Sequence, residues 1–183
     1  MHNGRAIIVI LGTLLCFLPA VASDGEDAIK VAAVLVFVQH AHWPDPLPGV
    51  TPLRICTVGR PEFVRALRTG LDSRLVEGHP LQVTEVKQPF ETHSCQVMYL
   101  ATEKIAEIKS ILQSIAAAHT LTIGETDRFL EFGGAANLFL EDGRIAFEVS
   151  LGALDRQSIE ISSKLLRFGQ IRDLAKGKGK TFR

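Results

Sequence analysis

Residues 119–166 read HTLTIGETDRFLEFGGAANLFLEDGRIAFEVSLGALDRQSIEISSKLL and carry the clearest fold signals in the chain. The apolar run 121–123 predicts a strand that stops at Gly124, and Gly133-Gly134 predicts a second break. Two alternating runs flank Asp142-Gly143, a pair that is typical of tight hairpin turns. The stretch contains no nucleophile beside a base and no set of metal ligands, which favours a binding role over catalysis.

The chain has 183 residues, enough for one domain with a substantial core. Its formal net charge is zero, so the composition implies neither nucleic acid nor another polyanion as a partner. The sequence shows no internal repeat and no second core, and we therefore expect a single domain.

A secretory signal peptide is predicted over residues 1–22. Arg5 precedes the apolar run 6–18, and Ala20-Val21-Ala22 has the small residues of a cleavage site. We expect cleavage after Ala22, which leaves a domain of residues 23–175 and a disordered basic tail of residues 176–183. An uncleaved membrane anchor is the alternative, although the apolar run is short for a spanning helix of about 20 residues.

The two cysteines that remain after cleavage are Cys56 and Cys95. In an exported and oxidising setting, an even pair predicts one disulfide. Closing a loop of about 40 residues would stabilise the fold by ~4 kcal/mol in the chain-entropy model. The alternative is two free, buried thiols, and the spacing excludes a catalytic CxxC motif.

Strands separated by helices are predicted along most of the chain. The apolar run 31–38 also fits a buried strand, but its pattern continues through residue 41, which favours a helix that the prolines from Pro44 onward bring to an end. The predicted helices are 24–43, 62–71, 103–118, 125–130 and 154–174, and the predicted strands are 53–58, 81–86, 95–101, 119–123, 136–140 and 144–149. A turn is predicted at 77–80.

This order of elements predicts an α/β fold. Strands that are separated by helices pair in parallel and bury both faces of their sheet. We therefore expect a single-domain three-layer α/β/α arrangement with a mostly parallel central sheet and a C-terminal antiparallel hairpin.

The ends of two predicted strands form the candidate ligand or partner crevice. Ligands of parallel sheets bind at the carboxyl ends of the strands, and a helix start after Gly124 would offer backbone N–H groups to an anion. Tight turns that need glycine are the alternative interpretation. A lone tryptophan is also a candidate anchor for a partner, with core packing as its alternative. The candidate residues are Gly59, Arg60, Gly124, Glu125, Gly133, Gly134 and Trp43.

No catalytic, metal or cofactor site is predicted. His40 and His42 are two residues apart on a helix and point in different directions, and the other histidines lie in separate loops. Ser163 and Lys164 are adjacent on a helix and also diverge. No glycine-rich phosphate-binding motif accompanies the strand ends.

Taken in order, these pieces resemble the YfiR family, periplasmic repressors of a membrane diguanylate cyclase. The resemblance covers residues 28–174, nearly the whole mature chain, and depends on the order and spacing of short motifs. They are Lys30, Phe37, Trp43-Pro44, residues 53–56, Cys95 with residues 96–100, residues 121–124, Phe129, Gly133-Gly134, Asn137-Leu138, residues 144–149 and residues 161–166.

The resemblance implies a periplasmic, non-enzymatic α/β/α domain that often forms a homodimer. Family members of the best-known type bind the periplasmic domain of the cyclase and hold it inactive, and an outer-membrane lipoprotein draws the repressor away. In that type four cysteines form two disulfides, and their reduction relieves inhibition. This chain matches only the pair Cys56 and Cys95.

Two functions follow as expectations. The first is a non-enzymatic periplasmic regulator that binds the periplasmic domain of an inner-membrane signalling protein, represses a diguanylate cyclase and so lowers cyclic di-GMP. The second is a periplasmic small-ligand-binding module that serves a sensor kinase or transporter.

Overall fold

The protein is described by a computed structural model over residues 22–45, 51–87, 94–116 and 118–172. The predicted signal peptide up to residue 21, residues 46–50 of the proline-rich loop and the predicted basic tail, residues 176–183, lie outside the described residues. The helices are α1 (Ala22–His40), α2 (Pro61–Leu71), α3 (Ile105–Ser114), α4 (Leu151–Gln157) and α5 (Ser163–Leu166). The strands are β1 (Ala41–His42), β2 (Leu53–Gly59), β3 (Leu75–Val76), β4 (His79–Glu85), β5 (Val97–Ala101), β6 (Leu121–Gly124), β7 (Ala136–Glu141), β8 (Arg144–Ser150), β9 (Glu160–Ile161) and β10 (Gln170–Arg172).

The main sheet has eight strands in the order β10-β8-β7-β6-β5-β2-β4-β3. Strands β4, β2, β5, β6 and β7 run parallel to one another, whereas β3 pairs antiparallel with β4 and β8 pairs antiparallel with β7. The protein is thus an α/β domain with a mostly parallel central sheet and a C-terminal antiparallel hairpin, as the sequence predicted.

Two apolar clusters bury the two faces of the sheet. Residues such as Val34, Phe37 and Tyr99 form the cluster under α1 and α2, while Ile108 and Phe129 belong to the cluster under α3. Strand β5 is buried at every position. Central strands that are buried on both faces need apolar residues at successive positions, which is why the sequence of β5 is a continuous apolar run. The helices on both faces produce the three layers that the sequence predicted.

Helix α1 confirms the helical interpretation of the first apolar run and excludes the strand alternative. Its C-terminal boundary was predicted wrongly, because the helix ends at His40 rather than at residue 43. Ala41 and His42 then form a short antiparallel pair with Ile161 and Glu160. Within the described residues, no helix is both long and apolar enough to span a bilayer.

The predicted final helix, 154–174, is wrong. Ser158 adopts the left-handed conformation (φ 54°) and ends α4, whose carbonyls bond the Ser158 N–H. The chain then extends through β9, and Ser162 starts the short α5 by accepting a hydrogen bond from the Lys164 N–H. Apolar residues at positions 159, 161 and 165 fit both patterns, so periodicity alone could not reveal the breaks.

The predicted short helix 125–130 is also wrong, and a series of turns replaces it. Arg128, within the predicted helix, has a positive φ of 64°, which interrupts helical geometry. The hairpin turn at Asp142 (φ 51°) and Gly143 (φ 73°) is as predicted. A second hairpin, β3–β4, turns at Glu77-Gly78 within the predicted turn.

Candidate functional site

The carboxyl ends of β2 and β5 meet at the point where the strand order reverses. From β2 the chain passes through α2 to β4 on one side, and from β5 it passes through α3 to β6 on the other. Open α/β sheets bind ligands at this position. Here the two strand ends touch, because Gly59 (φ 119°) lies directly against the Ala101 carbonyl and the Arg60 N–H donates to that carbonyl at 3.3 Å. The crevice floor is therefore closed by backbone.

Arg60 and Glu125, two predicted crevice residues, are brought together by the structure. The Arg60 guanidinium donates to Glu125 at 3.2 Å and to Asp27 at 3.1 Å. Lys30 Nζ lies 2.6 Å from both Glu125 and Glu26. We call these five residues, together with Tyr99, the charge cluster.

Tyr99 supplies the neutral member of the charge cluster. Its hydroxyl donates to Glu125 at 3.1 Å, and its ring packs at 4.7 Å from Phe63 in the core. Burial raises the pKa of Tyr99 well above 10.0, and the charge of Glu125 and the hydrogen bond to it raise the pKa further. The phenol thus remains a donor throughout the neutral range.

The two cations of the charge cluster are held in their charged forms. Burial tends to lower the pKa of Lys30, but hydrogen bonds to Glu125 and Glu26 outweigh it and raise the pKa above 10.5. The pKa of Arg60 is likewise raised, since Asp27 and Glu125 outweigh burial. Neither group can therefore serve as a base near neutral pH. The ion pairs of the charge cluster connect the start of α1 to the ends of β2 and β6.

A cavity of about 320 Å³ opens above the charge cluster. Its lining has four carboxylates and two cationic side chains, with Glu103 as the one residue added from the β5–α3 loop. The excess of negative charge favours ligands that carry a cation or several hydrogen-bond donors. The expected anion site after Gly124 has no helix start to support it, because turns follow β6.

The other predicted site residues lie elsewhere. Gly124 and Gly134 pack against the two sides of the Phe129 ring, where a Cβ at either position would collide with it. Gly133 and Gly134 therefore belong to the α3 side of the sheet. Trp43 lies near the amino end of β5, whereas the charge cluster lies at the carboxyl ends of the strands, and its Nε1 donates to the Gln96 carbonyl at 3.2 Å.

Cys56 and Cys95 form a disulfide, the pair that the sequence predicted. Their Cα atoms are 5.8 Å apart, and both residues are buried in the cluster under α3. The bond links the middle of β2 to a residue two positions before β5, and so crosslinks two neighbouring central strands near the amino end of β5. In the described part of the chain, no three His, Cys, Asp or Glu side chains are grouped to hold a metal ion.

Sequence reasoning missed four members of the charge cluster: Glu26, Asp27, Lys30 and Tyr99. Glu26 and Asp27 lie near the start of α1, where the helix dipole alone is sufficient reason for acidic residues. Lys30 immediately precedes the apolar run of a buried helix, and a cation there requires a carboxylate partner, so that position was the available signal. Nothing near Tyr99 in the sequence indicates its partner.

A family model described as DUF4154, YfiR/HmsC-like, matches residues 27–170. The match spans most of the chain, from the charge cluster to β10. The chain belongs to the YfiR/HmsC-like family. This family consists of periplasmic, regulatory and non-catalytic proteins. No functionally curated protein is significantly similar to this YfiR/HmsC-like chain.

Two solved structures share the fold of the YfiR/HmsC-like domain. A conserved domain protein from Vibrio cholerae O1 biovar El Tor matches with 14% identity and a TM-score of 0.53, over 79% of this chain and 59% of the other. The ABC domain from Streptococcus pneumonia, in complex with L-Trp, matches with 10% identity and a TM-score of 0.50, over 79% and 60%. The chain thus spans about three fifths of each, and the likeness concerns the fold alone.

Proposed function

We propose that this YfiR/HmsC-like protein binds the periplasmic domain of an inner-membrane signalling protein, a diguanylate cyclase, and represses it. The observation that carries the proposal is the family match over residues 27–170. Among the described residues of the candidate site, the cations and Asp27, Glu26 and Glu125 form ion pairs with one another. These ion pairs leave no acid and base in the charge cluster free for catalysis. That arrangement supports a binding role.

The proposed mechanism is steric. The rigid α/β domain binds the receptor through one face, stabilises the inactive arrangement of the receptor dimer, and keeps cyclic di-GMP low. We propose that the protein acts as a homodimer after removal of residues 1–22 in the periplasm. Release by an outer-membrane lipoprotein completes the proposed cycle.

Deletion of the gene tests the repression directly. We expect cellular cyclic di-GMP and surface attachment to rise, and a plasmid copy of the full chain to restore both. A copy that begins at Ser23 stays in the cytoplasm and is the matched control, which we expect to restore neither. Unchanged cyclic di-GMP in the deletion strain, with the cyclase expressed, would contradict the proposal.

A binding measurement tests whether the protein contacts the cyclase directly, independently of the effect of the gene deletion on the cell. The mature chain is mixed with the purified periplasmic segment of the diguanylate cyclase encoded nearest to its gene, and association is followed by calorimetry. We expect a saturable complex. Absence of binding to any membrane diguanylate cyclase of the organism would point instead to another class of receptor.

The cavity above the charge cluster favours a second candidate function, a ligand-binding module for a sensor kinase or transporter. Its excess of carboxylates predicts that zwitterions or amines bind better than small anions. Thermal-shift measurements with amino acids, L-Trp included, amines and anions test this. Stabilisation that Glu103→Gln weakens supports the candidate, and no stabilisation by any compound counts against it.

A further inference from the structure

The outer face of α1 is apolar although it is open to solvent. Between Lys30 and His40 the helix has no charged residue. On the outer side, Ile29 and Val36 remain 40% and 39% exposed, and Ala32 between them is also exposed. A helix that is apolar all round is normally covered on all sides. The composition of α1 therefore indicates that its outer face contacts something besides the core.

A groove of about 720 Å³ lies beside this face, between α1 and α2. Small residues keep it open, because Ala28 and Ala32 line it from α1, and Ala66 and Gly70 line it from α2. The helices themselves meet at Gly70, where a Cβ would lie 2.5 Å from a methyl group of Val31. Sites that enclose a small molecule have volumes of about 300–1,000 Å³. The groove is thus large enough for one small ligand, and its concave shape fits a single molecule better than a flat bilayer.

Larger apolar side chains complete the groove. Val31 and Leu71 line it and are otherwise buried, and the half-buried Leu35 lines it from α1. Hydrocarbon surface of this kind binds the apolar part of a ligand, since both surfaces leave water on contact. The ligand that fits the groove therefore has an apolar body.

The accessible charges of the groove are mostly positive. Asp27 also lines it but is buried, and its carboxylate accepts a hydrogen bond from Arg60 at 3.1 Å. The exposed charged residues of the lining are Glu62, Arg65 and Arg74, and none of them forms an ion pair in the described part of the chain. Two cations against one carboxylate leave an excess of positive charge. A guanidinium pairs with a carboxylate through two parallel hydrogen bonds, so a carboxylate is the group that these side chains fit.

We propose that the groove between α1 and α2 binds an anionic amphiphile, a molecule with a hydrocarbon chain and one carboxylate. The chain packs against the alanines of the groove and covers the outer face of α1, and the carboxylate pairs with Arg65 or Arg74. This inference goes beyond the proposed repression. It also concerns a different ligand class from the cavity above the charge cluster, whose excess charge is negative.

Calorimetry with dodecanoate, below its micelle-forming concentration, tests the site on the mature chain. We expect saturable binding of one molecule per chain. Dodecyltrimethylammonium carries a cation on the same hydrocarbon chain, and butyrate carries the carboxylate on a short chain, so each should bind at least about tenfold more weakly. Absence of saturable dodecanoate binding, or equal binding of dodecanoate and its cationic analogue, would overturn the proposal.

Charge reversal tests the role of the arginines. Arg65→Glu and Arg74→Glu should each weaken dodecanoate binding about fivefold or more, and the double variant should prefer dodecyltrimethylammonium. Arg68→Glu is the matched control, because Arg68 is exposed on α2 outside the lining, and this variant should bind like the wild type. All three side chains are exposed, so circular dichroism should show every variant folded. Equal losses in the control, or an unchanged preference for dodecanoate in the double variant, would overturn the proposal.

Filling the groove tests the position of the hydrocarbon chain. In Ala32→Trp the indole should occupy the space of the ligand and weaken dodecanoate binding about tenfold or more. Ala106→Trp, at an exposed position on α3, is the matched control and should bind like the wild type. Wild-type affinity in Ala32→Trp would overturn the proposed site.

Further outcomes separate this ligand from other occupants of the groove and from the proposed function. Binding of the mature chain to phosphatidylglycerol vesicles but not to dodecanoate would assign the face to a bilayer and overturn the proposal. Loss of repression in Ala32→Trp, when the wild type binds no dodecanoate, would assign it to the receptor and also overturn the proposal. Saturable dodecanoate binding by a protein whose gene deletion leaves cyclic di-GMP unchanged would support the site and contradict the repression alone.

Discussion

Lys30 Nζ lies 2.6 Å from a carboxylate oxygen of Glu125 and so ties the first half of α1 to the loop after β6, across 95 positions of the chain. The ammonium group and the carboxylate are almost fully buried, with 9% and 13% of their side chains exposed. A buried ion pair contributes little net stability, because removing both charges from water is costly. Removing only one partner is more destabilising, since the other charge then stays buried without compensation.

We therefore expect Lys30→Met to lower the free energy of unfolding by about 2–3 kcal/mol, less than for an isolated pair because Arg60 still neutralises Glu125. Urea denaturation of the mature chain provides the measurement. Lys164→Met, at an exposed position, is the control and should stay within about 0.5 kcal/mol of wild type. Equal effects of the two substitutions would show that the buried pair is unimportant.

Stability should decline at alkaline pH. The folded-state pKa values of Lys30 and Tyr99 both lie above their ordinary values of 10.5 and 10.0. Below the ordinary pKa values, Lys30 and Tyr99 are protonated in both the folded and the unfolded chain, and their full contribution to stability is present. As pH rises further, the unfolded chain loses protons first, and the stabilisation disappears as pH passes through the folded-state values.

Tyr99 is the single tyrosine of the chain, so the near-ultraviolet absorbance of its phenolate reports this titration without interference. We expect the folded protein to titrate above 10.0 and the urea-unfolded protein near 10.0. Tyr99→Phe should flatten the alkaline decline in stability. A phenolate transition near 10.0 in the folded protein would contradict the buried hydrogen bond to Glu125.

Removal of the disulfide should destabilise the fold substantially. Cys56 and Cys95 close a loop across 39 positions, for which chain entropy predicts about 4 kcal/mol. The double variant Cys56→Ala, Cys95→Ala should therefore unfold at a lower urea concentration than the oxidised wild type and near that of the reduced wild type. Thiol titration of the denatured, oxidised mature chain should detect no free thiol, and one or two per chain would refute the bond.

Gly59→Ala should be severely destabilising. The substitution adds a methyl group against the Ala101 carbonyl at a φ of 119°, so strain and overlap together should cost about 2–4 kcal/mol. Gly78→Ala is the matched control, because Gly78 also has a positive φ of 86° but nothing within 4 Å. The thermal midpoints of the two variants give the comparison, and equal losses would show that backbone conformation alone matters.

Sequence periodicity was sufficient for the six longer strands of the main sheet, β2 and β4 to β8, and for the presence of α1 to α3, because buried strands and amphipathic helices each impose a repeating pattern. It failed after residue 157, where a single left-handed Ser158 redirects the chain without changing the apolar spacing. Two-residue strands such as β1 and β9 are too short to carry any period. Strand-end reasoning found Arg60 and Glu125, but the cations and carboxylates from α1 depend on tertiary packing that no local pattern encodes.

The pairing of Ala41 with Ile161 has a consequence for the order of folding. The end of α1 acquires its strand partner only when nearly the entire chain is present, and β10 joins the sheet later still in sequence. Such non-local closure slows folding, since loop entropy is lost before the contacts form. A nascent chain could therefore not complete this pairing until its last quarter is present, which suits the export to the periplasm that we propose.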